Sequence, residues 1–230
     1  MSVSVNETRE VFFEGGVPAE FPLALLESVR AHDHPGELLE EEDVTVSLPR
    51  RLGLSDVVDT QIRRYESTQR AGRTVSLNEV FALIRLVLRR PDAELILRET
   101  GRRIADLRYH RIGATMARLH QRLPRSLALL GTFRRVRRAF RDLQAGDNVA
   151  IQRLPLAVRV RGSNTARLDS TGIACCLYTA TLEHYIRLST GRQWVVSHVN
   201  CETRGAAECE WRAEEVAAAD PGAPEPALPS

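Results

Sequence analysis

Apolar positions recur every three to four residues through most of the first 145 positions, and every second residue in much of the remaining chain. The segment from Phe21 to Val29 predicts a short helix, ended by His32-Asp-His34-Pro-Gly36. Val58, Ile62 and Tyr65 predict another over 55–70, with an arginine-rich outer face. Ser76-Leu-Asn-Glu79 has the spacing of a capping box, in which the serine oxygen accepts from the amide of residue 79 and the glutamate reaches back. A helix is expected from there to about residue 90. Its Val80, Phe81, Leu83, Ile84, Leu86, Val87 and Leu88 leave little polar face, which predicts burial between layers or in a dimer interface. Beyond Pro91-Asp92, the stripe Ala93, Ile96, Leu97, Thr100, Ile104 and Leu107 marks a helix to about residue 109. Gly101 on it lets a second backbone approach closely. Residues 113–123 continue helical to a break at Pro124. In the next helix Phe133, Val136, Phe140 and Leu143 oppose Arg134, Arg135, Arg137, Arg138 and Arg141.

The period changes after a turn at Gly146-Asp147-Asn148. Leu156, Val158 and Val160 alternate with Ala157, Arg159 and Arg161, a strand with one buried face, and Pro155 marks an edge or bulge just upstream. Asp169 or Ser170 can cap a helix over 171–190, which Gly191 ends. Residues 194–200 form the next strand and 208–213 its hairpin partner. Helices first, then strand, helix and strand hairpin, predict an α+β fold: N-terminal helices packed on an antiparallel sheet, with a helix between strands and a C-terminal hairpin.

The 230 residues have room for one generous domain, and 43% apolar content is enough to fill its core. Every one of the 32 basic side chains is arginine. The absence of lysine excludes a phosphate-cradling Gly-Lys-Ser loop, a lysine Schiff base and a lysine general base. A net charge of +2 does not argue for nucleic acid, and the polar face of the helix around 134–141 lacks aromatics on which bases would stack. That face could meet phosphate, an acidic protein partner or an anionic membrane surface, and the expectation is a solvated face in a chain that uses arginine for every cation. No run reaches the roughly 18 apolar residues of a membrane span and the start lacks a leader pattern, so a cytoplasmic location with reduced thiols is expected. The acidic run over 37–43 reads as solvated surface, and His32 and His34 lack a third metal ligand nearby. The Pro- and Ala-rich tail over 215–230 is expected to be disordered.

All four cysteines fall in one stretch: Cys175, Cys176, Cys201 and Cys209, with His198 three residues before Cys201. A hairpin turning at Gly205 brings Cys201 and Cys209 opposite each other, and the covering helix delivers Cys175 from its first turn. Strict alternation puts His198 and Cys201 on opposite faces, so they converge only if the strand ends or bulges near Asn200. Cys175, His198, Cys201 and Cys209 then form a closed tetrahedral zinc set, structural because no position remains for water or substrate. The alternatives are buried core thiols, which is the reading for Cys176, or a disulfide between Cys201 and Cys209, which a reducing compartment disfavours. No nucleophile with an evident base and no flavin or nicotinamide fingerprint is present, so no catalytic residue is assigned.

A cysteine opening a helix, a following strand, and a Cys201/Cys209 hairpin with a central glycine and an aromatic, Trp211, after the last cysteine resemble the 4-vinyl reductase domain family. That family comprises small-molecule-binding domains related to TRAPP trafficking subunits and to the haem nitric-oxide-binding fold. The resemblance covers residues 75–214. It implies an N-terminal extension over 1–74, a candidate dimerisation arm, followed by a ligand-binding domain and the tail. In the phenol- and toluene-responsive activators of the family, three cysteines and a glutamate hold structural zinc, and His198 stands here in the glutamate's place. Their ligand-contacting positions fall on Leu154, Thr179 and Val196, which implies a more apolar or larger ligand than phenol. The resemblance thus implies a zinc-stabilised homodimeric sensor for a hydrophobic or aromatic small molecule. Its alternatives are an accessory protein or reductase of bacteriochlorophyll synthesis and an assembly scaffold.

Overall fold

Alternation at the C-terminal end of the chain builds the sheet on which the helices stack. The computed structural model describes residues 15–33, 44–111 and 125–216. Four strands pair antiparallel in the order β3 (Val149–Arg153), β4 (Leu156–Val160), β6 (Cys209–Glu215), β5 (Trp194–Asn200). β4 and β5 coincide with the strands expected from period two. β3 is an addition to them: its partner register, Val149↔Val160 to Arg153↔Leu156, makes Leu154-Pro155 the hairpin turn, so the proline stands between two strands.

The helices are α1 (Glu20–Asp33), α2 (Val44–Arg70), α3 (Leu77–Val87), α4 (Ala93–His110), α5 (Arg125–Gln144), the short α6 (Asn164–Leu168) and α7 (Cys176–Thr190). A two-stranded ribbon of β1 (Gly16–Pro18) and β2 (Thr74–Ser76) joins the start of α1 to the start of α3. α7 packs against β5 and α5 on one side and α4 on the other, and α1 covers α4. The architecture is α+β as expected, with helices on an antiparallel sheet. One continuous apolar core runs from Val17, Phe21, Ile62 and Tyr65 to Val158, Trp211 and Ala213, with no break at residue 74. No described helix is long and apolar enough to cross a membrane. The expected 113–123 helix, the 37–43 acidic run, His34 and residues 217–230 of the tail lie outside the described residues.

Two local expectations for α3 are corrected. Ser76 occupies the N-cap but its hydroxyl makes no capping bond. Glu79 is engaged elsewhere, accepting from the Tyr65 hydroxyl at 2.6 Å and pairing with Arg64 at 3.0 Å, so tertiary partners outcompete the capping box. The helix is also not buried all round. Leu77, Val80, Phe81, Ile84 and Val87 form one buried stripe, while Leu86 is 58% exposed on the opposite face.

Gly101 does what its place on the apolar stripe predicts. A Cβ there would lie 2.5 Å from the Leu177 carbonyl oxygen and 2.9 Å from the Thr181 nitrogen, both backbone atoms of α7 that cannot rotate aside. Gly101→Ala is therefore expected to destabilise the protein by about 1–3 kcal/mol, despite alanine's better helix propensity, because α4 and α7 must separate. Urea unfolding midpoints of the two proteins measure this, and an unchanged or raised midpoint would contradict the close crossing.

Candidate metal centre

The loop between β4 and α7 is folded around one carboxylate. Asp169 accepts hydrogen bonds from the Thr171 amide at 2.9 Å, the Thr171 hydroxyl at 2.6 Å and the Ala174 amide at 2.8 Å. Burial alone would raise its pKa, but these bonds, Thr171's foremost, outweigh it and hold the carboxyl below the usual range. The turn they stabilise contains Gly172 at φ 82° and a 3-10 segment, Ile173–Cys175, so Cys175 ends that segment immediately before α7 instead of sitting in a first α-turn. The expected cap by Asp169 or Ser170 is therefore corrected: α7 starts at Cys176 with Cys175 as its N-cap and no side-chain capping bond, and Asp169 instead holds the turn that precedes it.

On the opposite wall, β5 and β6 pair regularly from Trp194↔Glu215 to His198↔Trp211, and the register then slips so that Asn200 faces Glu210. Val199 is the extra residue, a β-bulge where convergence of His198 and Cys201 required one. The chain then makes a 3-10 turn, Glu202–Arg204, and reverses at Gly205, φ 87°. The Glu202 carboxylate reaches back to accept from the Gly162 amide at 2.6 Å and the Ser163 amide at 2.7 Å, fastening this turn to the end of β4.

These segments bring Cys175, His198, Cys201 and Cys209 together, with one ligand atom from each lying within 4.8 Å of all the others. A tetrahedron with metal–sulfur bonds of about 2.3 Å has sulfur–sulfur edges of roughly 3.8 Å, so the group needs only a small contraction to close on an ion. Cys175, Cys201 and Cys209 are at most 2% exposed, and all four cysteines are free thiols, so no disulfide joins Cys201 to Cys209. His198 Nε2 is buried with no hydrogen-bond partner, a cost that a nearby cation would offset. Three soft sulfurs and one imidazole, itself carrying an unsatisfied buried nitrogen, fit a metal ion, and these four protein donors leave no open coordination position.

No family model, curated protein or solved structure matches the chain. The character of the cluster is therefore read from its own atoms. The Cys175 thiol hydrogen-bonds to Cys209 and, against the effect of burial, holds Cys209 well below the ordinary thiol range, with His198 adding to this. The same bond, together with burial, pushes Cys175 up. Around the cluster, the Glu202 amide donates to Cys209 Sγ at 3.5 Å, the Thr203 hydroxyl lies 2.9 Å from Cys201 Sγ and the Thr165 hydroxyl 3.3 Å from Cys175 Sγ. Such donors orient sulfur ligands and spread their negative charge. Gly172 belongs to the same cradle: a Cβ there would stand 3.1 Å from Thr203 Oγ1 and 3.6 Å from Cys201 Sγ, at a φ that side chains disfavour. Trp211 seals the sheet side, its ring stacked on the His198 imidazole at 4.6 Å and 6°. Cys176 is outside the cluster, its thiol pointing to the Glu94 carbonyl at 3.7 Å, and burial raises its pKa to about 12.

The three positions to which the resemblance would assign ligand contact do not lie together. Thr179 on α7 is buried and its hydroxyl donates to the Cys175 carbonyl at 3.4 Å. Val196 on β5 is 6% exposed, and its amide donates to Glu183, one helical turn beyond Thr179, so both residues belong to the α7–β5 interface. Leu154 does not join them. It is 90% exposed in the β3–β4 turn, beyond Leu156, which is itself separated from Val196 by the intervening strand β6.

Proposed function

We propose that this chain is a zinc-stabilised, homodimeric binding module for a hydrophobic or aromatic small molecule. The observation that carries the reading is the closed Cys175, His198, Cys201 and Cys209 set. Zinc suits it because that ion tolerates a tetrahedron of thiolates and imidazole with no redox demand. Bound there, zinc supplies cross-links between the Cys175 turn, β5 and β6, and no chemistry on a substrate. Cys175 leads straight into α7, and His198 lies two residues after Val196, so the staple fixes the two elements between which a ligand chamber is proposed. Thr179 and Val196 support that location, and exposed Leu154 supports no part of it. The resemblance to the 4-vinyl reductase domain family supports the ligand class and the dimer.

Native mass spectrometry with elemental analysis of the purified chain tests this. The expected result is one zinc per chain, a species of twice the 25.7 kDa chain mass, and an apolar compound released on denaturation. A fully folded chain lacking zinc, or a monomer that binds no apolar probe in a hydrophobic-dye displacement assay, overturns it.

A further inference from the structure

We propose that the arginine face of α5 and the β1–β2 ribbon form a binding cleft for a small soluble anion bearing two or more phosphate groups. Arg134, Arg137, Arg138 and Arg141 recur at i, i+3, i+4 and i+7, which puts four like charges on one helix face. They line a cleft of about 720 Å³ whose opposite wall includes Gly16, Pro18 and Thr74 of the ribbon. That volume matches a metabolite in size, and the cleft is open to solvent on one side.

Two carboxylates, Asp142 and Asp147, also line the cleft, and both are committed. Asp142 is held by Arg108 at 2.7 Å, and Asp147 pairs with Arg141. Arg137 donates Nε to the Val149 carbonyl at 3.3 Å, which orients its fork without neutralising it. Among the described residues Arg134 and Arg138 have neither an ion-pair nor a hydrogen-bond partner. Three guanidiniums are therefore left without counter-charge in one concave site. Guanidinium forks match phosphate oxygens two at a time, and a polyphosphate would relieve the repulsion along the helix.

The same arginines do not suit a lipid surface. Membrane-lying helices insert an apolar face beside their cations, but Val136, Phe140 and Leu143 of α5 are already at most 3% exposed in the protein's own core. A recessed cleft with small residues, Gly16, Ala145 and Gly146, at its walls admits a compact ligand instead.

Calorimetric titration of the full chain with inorganic tripolyphosphate and with ADP, at about 0.15 M salt where long-range attraction is screened, tests the proposal. One saturable site is expected for tripolyphosphate. Its affinity should fall at least about tenfold in R134A/R138A and stay within about twofold in R85A/R89A, which removes the same charge from exposed positions of α3 and the turn after it. The α5 variant should keep or raise its unfolding midpoint, since a repulsion is removed, so lost binding reports the site and not the fold. Equal weakening in both variants would reduce the effect to general charge attraction. Absence of soluble-anion binding, or binding only to phosphatidylserine vesicles, would equally overturn the proposal.

Discussion

Replacing Cys209 with serine is expected to abolish metal binding and lower stability more than any other single change in the C-terminal half. Cys209 is fully buried, sits opposite Val160 of β4 in the sheet and is one of the four converging ligands. A serine oxygen there is a poor partner for a soft site, and it leaves two thiols and an imidazole crowded together without their cation. Structural zinc contributes about 10–16 kcal/mol of apparent binding free energy in small fingers. Here the hairpin also has sheet pairing, so a loss of at least about 4 kcal/mol is expected. At 2–4 °C per kcal/mol for a chain of this size, the melting temperature should drop by roughly 8–16 °C. Cys176→Ala, which removes a neighbouring buried thiol outside the cluster, should keep one metal per chain. If the serine variant retained metal and melting temperature, the four-ligand centre would be wrong. Because ligation requires thiolates, metal and melting temperature should also be lost together as pH falls.

The second large effect is expected at Glu20, far from the metal centre. Its carboxylate, 1% exposed, contacts Arg108 at 2.6 Å and Arg111 at 2.5 Å, and Arg108 continues to Asp142. Neither contact has hydrogen-bond alignment, so charge attraction holds the group in place. This cluster joins α1, the end of α4 and α5. Glu20→Leu leaves Arg108, 11% exposed, without its nearest counter-charge, and breaking a buried pair in this way costs about 3–5 kcal/mol. The double variant Glu20→Leu/Arg108→Leu removes the charge as well as its partner and should recover most of that loss, since apolar replacement of a buried pair is often close to neutral. Denaturant unfolding of both variants measures the difference. A single variant as stable as the parent, or a double variant no better than the single, would show that the pair is not a coupled unit.

The features legible in the sequence are those whose chemistry is local. β4 and β5 follow from alternation, the end of α7 from Gly191 in a left-handed conformation, and the close crossing from Gly101 on an apolar stripe. The four metal ligands are legible because cysteine is scarce and its spacing can be tested against strand geometry, which demands the bulge found at Val199. What escapes depends on partners distant in the chain. Glu79 reads as a capping residue until Tyr65 and Arg64 fold beside it. Glu20 reads as an ordinary first-turn acid, yet it becomes the most buried carboxylate among the described residues once α4 covers it. Strands of three residues such as β1 and β2 carry too few alternations to register. The Thr165 hydroxyl and the Glu202 carboxylate reach their partners at the metal centre across 10 and about 40 residues of chain. Only Gly172, following Asp-Ser-Thr, carries a turn signal that could have placed it in the cradle.

The stacking of Trp211 on His198 gives the molecule an optical probe of its own. Only two tryptophans are present, and they sit on different rungs of the same ladder: Trp194 at the opening rung, with its indole nitrogen bonded to Thr190, and Trp211 directly opposite the histidine. One emits from a setting that the cluster does not touch, the other through a ring pressed against one of its ligands. Any event that alters the bonding of that imidazole is therefore written into the ultraviolet emission of the native chain, with no label attached and with an internal reference at the far end of the same seven-residue strand pairing.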